Sequence, residues 1–378
     1  MEILPYTREH LLFRERIRGF CQKEVVPHVE KWEKDGIVDR QIWKKMGSQG
    51  FLCTWADPCY GGMGGDFLYS IIALEEMART NHYGLDAFLH SDIVTPYIAA
   101  YGNDEQKDKY LPGCVSGDIV TAVAMTEPDA GSDLASMGMT AEEKGGLTYL
   151  NGVKTFISNG LSCDLAVTAA RDPLCENRHA AVSLYLVESG FEGFSRGRPA
   201  KKLGVHSQDT AELYYQNCKV PLQNLLGKKG AGFSMLMEKL AQERLLVAVL
   251  AACKARLALE QTIGLLKNRA DKPLSQAESF ALVEMTTELE LGRVFVERLV
   301  LEHMAGRDIA ARVCMAKYWA SEMANRVVCR CLDLIGLEAM SEACPVVRTF
   351  RDLRVFKIFA GTNEIMKVVA AKSLGFSK

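Results

Sequence analysis

Ala124-Met125-Thr126-Glu127-Pro128-Asp129-Ala130-Gly131-Ser132-Asp133 marks the point at which the character of the chain changes. An apolar, strand-like end runs here into a turn rich in hydroxyls, Gly and Pro. Upstream, from His10 to about Gly117, apolar residues recur at helical spacing, as in Leu11, Leu12, Phe13, Ile17, Phe20 and Val25. Downstream, short β-rich runs follow one another: Leu147–Leu150, Leu165–Thr168, Val182–Val187 and Ala211–Tyr215, separated by Gly, Asn, Asp and Pro. From Gly232 onward helical periodicity returns, with long segments expected at roughly 233–268, 275–305, 309–336 and 348–374. The expected fold is α+β: an N-terminal α-helical domain over 1–118, a middle β-domain over 119–227 and a C-terminal four-helix bundle over 228–378. Clefts between such domains are where cofactor sites commonly form.

Composition narrows the function. The 378 residues are 48% hydrophobic, enough to bury large cores, and 45 basic against 47 acidic side chains give a net charge of only −2. No stripe of Lys or Arg suits nucleic acid or an acidic membrane surface, so a small-molecule partner is expected. The opening Met1-Glu2-Ile3-Leu4-Pro5 has neither the basic nor the apolar region of a signal peptide, and no apolar run reaches bilayer length, so the expectation is a cytoplasmic protein. The 12 cysteines are scattered and read as reduced structural thiols, and the dispersed histidines offer no local metal site.

Four stretches carry residues suited to chemistry. The 124–133 turn exposes backbone N–H groups beside the hydroxyls of Thr126 and Ser132, which suits the polar edge of a heteroaromatic ring or a phosphate; an ordinary β-turn with an Asp cap fits equally well. Leu150–Gly160 reads as a hairpin with an Asn-Gly turn at each end and an alternating strand between them. Alternation puts Phe156 and Ser158 on one face, fit for a flat ring system or for one buried Phe. Glu243 has Leu240, Leu246 and Val247 one helical turn away, a carboxylate on an apolar face where burial raises its pKa and strengthens it as a base. An ion pair with Lys239 or Arg244 is the plainer reading. Finally, Phe359–Ile365 is a small, polar loop leading into the last helix, with Thr362 as N-cap and a positive helix end that suits an anion.

Together these stretches resemble the acyl-CoA dehydrogenase family over nearly the whole chain, from Arg14 to Leu374. The likeness is carried by His90–Tyr97, Met125–Asp133, Phe156–Gly160, Lys202-Leu203-Gly204, Gln208–Leu213 and Gly361–Met366. The resemblance implies FAD as cofactor, with Met125, Thr126, Phe156 and Ser158 around the flavin ring and Thr362 and Glu364 along its dinucleotide part. It also implies Ser132, Arg244, Ala360 and Gly361 at the acyl-CoA, an electron-transfer flavoprotein as acceptor, and a homotetramer or dimer. In most of the family the base immediately precedes the last loop's Gly-Thr, but here that position is Ala360. A subgroup with long-chain and isovaleryl-type members carries it instead on the first bundle helix, in a segment like Gln242-Glu243-Arg244-Leu245-Leu246. That assigns the base to Glu243, with the N–H of residue 360 kept as a donor to the thioester carbonyl.

Two segments depart from the family pattern. Lys267-Asn268-Arg269-Ala270-Asp271 replaces an Arg-x-x-Phe-Gly, leaving Lys267 as the cation toward FAD, and Leu334–Glu338 carries one Gly where the family has a pair. An oxidase or a relative acting on carrier-bound acyl groups, and a non-catalytic acyl-thioester-binding scaffold, are the competing expectations.

Overall fold

A computed structural model describes residues 3–269 and 273–376. Among the described residues the N-terminal domain holds six α-helices: α1 (Arg8–Phe20), α2 (Val29–Asp35), α3 (Gln41–Ser48), α4 (Phe67–Ala78), α5 (Thr95–Tyr101) and α6 (Asp104–Ser116). Capping boxes at Thr7/His10 and Asn103/Gln106 satisfy the first N–H groups of α1 and α6. The turn of π-helix at Leu89–Val94, ahead of α5, is buried almost throughout and packs against the C-terminal domain.

The middle domain is an eight-stranded sheet of β1 (Thr121–Ala124), β2 (Thr140–Lys144), β3 (Leu147–Ile157), β4 (Leu165–Arg171), β5 (Val182–Glu188), β6 (Phe194–Pro199), β7 (Ala211–Pro221) and β8 (Leu225–Leu226). The strands lie in the order β6-β7-β3-β2-β4-β5-β8, and β1 pairs parallel to β4. The structure corrects the reading of Asn151-Gly152 as a hairpin turn. These residues lie inside β3 at a register shift against β7, and the β2–β3 connection is made by Gly145-Gly146. Gly152 is required there: its φ is +150°, and a Cβ would come within 2.8 Å of Met139.

The C-terminal domain is built on α7 (Gly232–Lys267), with α8 (Gln276–Met304) and α9 (Ala310–Ile335) packed against it. The helical segment expected at 348–374 is two helices, α10 (Pro345–Leu353) and α11 (Asn363–Ser373), both on α9, and the loop read at Phe359–Ile365 leads into the second, with Thr362 as its N-cap. A 3₁₀ turn at Arg354–Lys357 and a loop with positive φ at Ala360 (54°) and Gly361 (89°) break the segment, because a left-handed residue cannot continue an α-helix. Among the described residues no helix is long and apolar enough to cross a membrane.

Candidate active site

Glu243 lies on α7 at the junction of the N- and C-terminal domains. Leu240, Leu246 and Val247 around it are buried. Glu243 as a whole is half-buried, but its Oε2 is covered and, among the described residues, has no hydrogen-bond partner. The plain ion-pair reading is not realised: Lys239 pairs with Glu238 at 3.8 Å, and Arg244 donates to Cys314 Sγ at 3.5 Å. Burial pushes the Glu243 carboxyl up to about 7, against the opposing pull of Arg244 and Lys317.

Lys317, on α9, is a site residue that the sequence reading missed. Its ammonium donates to Gly361 O at 2.7 Å and to Asn363 Oδ1 at 3.2 Å, so it clamps the last loop beside Glu243. Burial, then Arg244, lowers its pKa to about 8. A basic residue within an otherwise apolar helical stripe was its only signal. The clamped loop also abuts Arg244: a Cβ on Gly361 would lie 3.9 Å from Arg244 Nη2 and 2.6 Å from Met366 Cε. Among the described residues, the Ala360 N–H has no hydrogen-bond partner within the chain. Thr362 is the N-cap of α11, accepting from Ile365 N at 3.2 Å, while Glu364 is exposed in the first turn.

A second group of expected site residues lies in the β-domain. Met125 and Thr126, just past β1, are half-buried, and Thr126 O accepts from Thr155 N at 2.9 Å, which joins this turn to the end of β3. Beneath the junction, Lys154 Nζ donates to Met125 O at 2.9 Å and to Glu127 Oε1 at 2.7 Å. The Glu127 carboxylate also accepts from Gly138 N at 2.6 Å and Met139 N at 3.1 Å. This buried pair fixes the turn and was not foreseen from sequence. The regular alternation expected for Phe156 and Ser158 is interrupted: a register shift between Lys154 and Ile157 gives Phe156 a φ of 56° and turns its ring outward, 71% exposed, while Ser158 follows in the turn beyond β3.

Ser132 is exposed on the loop after β1. Lys267 is exposed at the last residue of α7, about 36 Å along the helix axis from Glu243 at 1.5 Å per residue, and is not brought to the other site residues of this chain. Its neighbour Arg269 donates to Leu334 O and Ile335 O at 2.8 Å each, closing the C-terminus of α9; Ala270 and Asp271 lie outside the described residues.

Comparison with known proteins agrees with this architecture. Family models for the N-terminal, middle and C-terminal domains of acyl-CoA dehydrogenases match residues 7–118, 122–218 and 230–375. The chain is 41% identical to the mitochondrial long-chain specific acyl-CoA dehydrogenase of Mus musculus, over 98% of this chain and 87% of that one. It superposes on the crystal structure of an acyl-CoA dehydrogenase from Geobacillus kaustophilus with a TM-score of 0.95 and 47% identity, covering 98% and 99% of the two chains. A glutaryl-CoA dehydrogenase from Mycobacterium smegmatis, solved in complex with FADH2, aligns with a TM-score of 0.91 at 25% identity, over 98% of this chain and 96% of that one. The chain belongs to the acyl-CoA dehydrogenase family.

Proposed function

We propose that this chain catalyses the FAD-dependent α,β-dehydrogenation of an acyl-CoA thioester to the 2-enoyl-CoA, with Glu243 removing the α-proton. The observation that carries the reading is the unpartnered Oε2 of Glu243, on a carboxyl raised to about 7, beside a loop whose residue 360 is Ala. A base poised near neutral pH is matched to a weakly acidic C–H, and one without a competing hydrogen bond is free to accept the proton. The free N–H of Ala360 is the donor for the thioester carbonyl oxygen, where negative charge develops as the α-proton leaves. Lys317 holds this donor loop by its Gly361 carbonyl and, with Arg244, keeps positive charge near the base. This use of Glu243 groups the chain with long-chain and isovaleryl-type members of the family.

The residues present fit a flavin. The outward-facing Phe156 ring, beside Ser158 and tied through Thr155 to the Met125-Thr126 turn, offers an uncovered aromatic face and hydroxyls to a flat heterocycle. Bound there, FAD supplies the acceptor for the β-hydrogen, which leaves as hydride. Thr362 and Glu364 hold its dinucleotide part and Ser132 the acyl-CoA. Lys267, remote from its own Glu243, acts across the interface of a homotetramer or dimer. Reoxidation is assigned to an electron-transfer flavoprotein, the compartment to the cytoplasm, and the functional domains to 1–118, 119–227 and 228–378. Replacing Glu243 by Gln tests the central step: turnover falls by about 10²- to 10⁴-fold with flavin retained, whereas wild-type turnover overturns the assignment.

A further inference from the structure

The wall that the N-terminal domain presents to Glu243 is polar in a way that a hydrocarbon substrate does not explain. It runs from Tyr83 to Tyr101 and is fastened to α7 next to Glu243, where Gln242 Nε2 donates to Asp92 O at 2.6 Å. Three of its side chains, Tyr83, Asp86 and Tyr97, are 5%, 2% and 0% exposed. Among the described residues, Tyr83 Oη and Tyr97 Oη are covered and without a hydrogen-bond partner, as is Asp86 Oδ1, although the Leu89 N–H also lies within reach of the Asp86 carboxyl. Burial comes first in raising the pKa of all three; the Glu243 charge is next for Tyr97, and it adds a smaller push behind Asp86 and Asp352 for Tyr83 and behind Asp209 for Asp86. The Tyr83 ring stands 6.1 Å from Phe88 and 6.4 Å from Phe359, the residue before Ala360. Tyr83 thus packs against the loop that carries Ala360, and the segment that bears Asp86 and Tyr97 is tied to α7 at Gln242.

A buried polar group without a partner is destabilising, so three at one wall are a standing penalty unless a ligand pairs with them. A saturated alkyl chain leaves all three unpaired. Burial pushes Asp86 up to about 8, so near neutral pH it is a carboxylic acid able to donate, and both tyrosines keep their protons. Gln208 Nε2 donates to the other Asp86 oxygen and fixes the group's orientation. No Lys or Arg occurs between Tyr83 and Tyr101: the cations of the site, Arg244 and Lys317, stand on α7 and α9 beside Glu243, and the wall itself offers donors without a cation.

We infer that the acyl pocket beside Glu243 is built for an acyl group carrying an uncharged hydrogen-bonding oxygen, hydroxyl or carbonyl, beyond C3. Carbons 2 and 3 must keep the hydrogens that the reaction removes, so the oxygen belongs farther along the chain. The inference rests on the dehydrogenase reading and on Glu243 as its base. A site that hydrogen-bonds a substrate hydroxyl discriminates strongly against the analogue lacking it, because the partners are then left buried and unpaired.

The test uses the FAD-loaded full chain and two matched pairs: hexanoyl-CoA with 6-hydroxyhexanoyl-CoA, and 3-phenylpropanoyl-CoA with 3-(4-hydroxyphenyl)propanoyl-CoA. In at least one pair the hydroxylated member should have a kcat/KM at least about 10-fold higher. Tyr97→Phe and Tyr83→Phe, which retain ring volume, should move that ratio toward one, and thermal melting of each variant checks its folding. The same order of affinities should appear as Kd values for Glu243→Gln, which binds without turning over. Equal or greater preference for the unsubstituted member in both pairs overturns the inference while leaving the dehydrogenase reading intact. Failure of every thioester to bleach the flavin overturns both.

Discussion

At the scale of single residues, the account turns on which carboxylate takes the proton and what sets its strength. Glu243 must be ionised to act, and its carboxyl is raised to about 7. The logarithm of kcat/KM should therefore climb with unit slope below about pH 7 and level off above it, a profile that stopped-flow flavin reduction would record. Lys317 is one of the two cations that hold this pKa down. Lys317→Met should shift the acid limb to higher pH, because the carboxylate loses a stabilising charge, and should lower kcat by releasing the Gly361 carbonyl. An unchanged limb would mean that the ammonium does not act on the base. Glu243 was legible in the sequence because its environment comes from its own helix: residues one turn away fix its apolar face. Lys317 was not, because its partners are 44 and 46 positions later and meet it only through the fold.

At the scale of elements, the boundary between local and long-range information falls in the same place. Four of the eight strands stand out as β-rich apolar runs, and the Thr362 cap is written in its own short loop. The irregular features are not local. The bulges that seat Gly152 and Phe156 in β3 are set by pairing with β7, and the break of the last helix depends on left-handed backbone at Ala360 and Gly361, with Lys317 donating to the Gly361 carbonyl. Both irregularities lie where the site is built, so pattern and structure diverge at the functional positions. The Lys154–Glu127 pair is the cross-link that makes the β1 turn and the end of β3 one unit. Lys154→Met should cost about 3–5 kcal/mol in denaturant unfolding, because it strands a buried carboxylate, and it should weaken FAD retention by loosening the Met125-Thr126 turn. Replacing both partners, as Lys154→Met with Glu127→Leu, should cost less than the single change. Thr362→Ala should cost about 1 kcal/mol through the lost cap of α11.

At the scale of the whole molecule, three domains meet so that their junction holds titratable groups out of water. Asp86, Asp92 and Glu243 are raised to about 8, 7 and 7, in each case first by burial. A carboxyl with a raised folded pKa is bound to its proton more firmly in the native state. Its contribution to stability is fully present below the unfolded value near 4 and is lost as pH rises through the folded value. Thermal stability should thus decline between about pH 4 and 8 on account of these groups, and Asp86→Asn should flatten the upper part of that decline. A melting series across this range that is identical for the two proteins would refute the assignment. The central claim, that Glu243, with its Oε2 covered from water, is the base of a flavin-dependent acyl-thioester dehydrogenase, is tested most directly by anaerobic titration of the FAD-loaded protein with acyl-CoA, wild type beside Glu243→Gln. The account predicts that the visible flavin band of the wild type bleaches while the variant stays yellow with its thioester bound; equally rapid bleaching of the variant would contradict it.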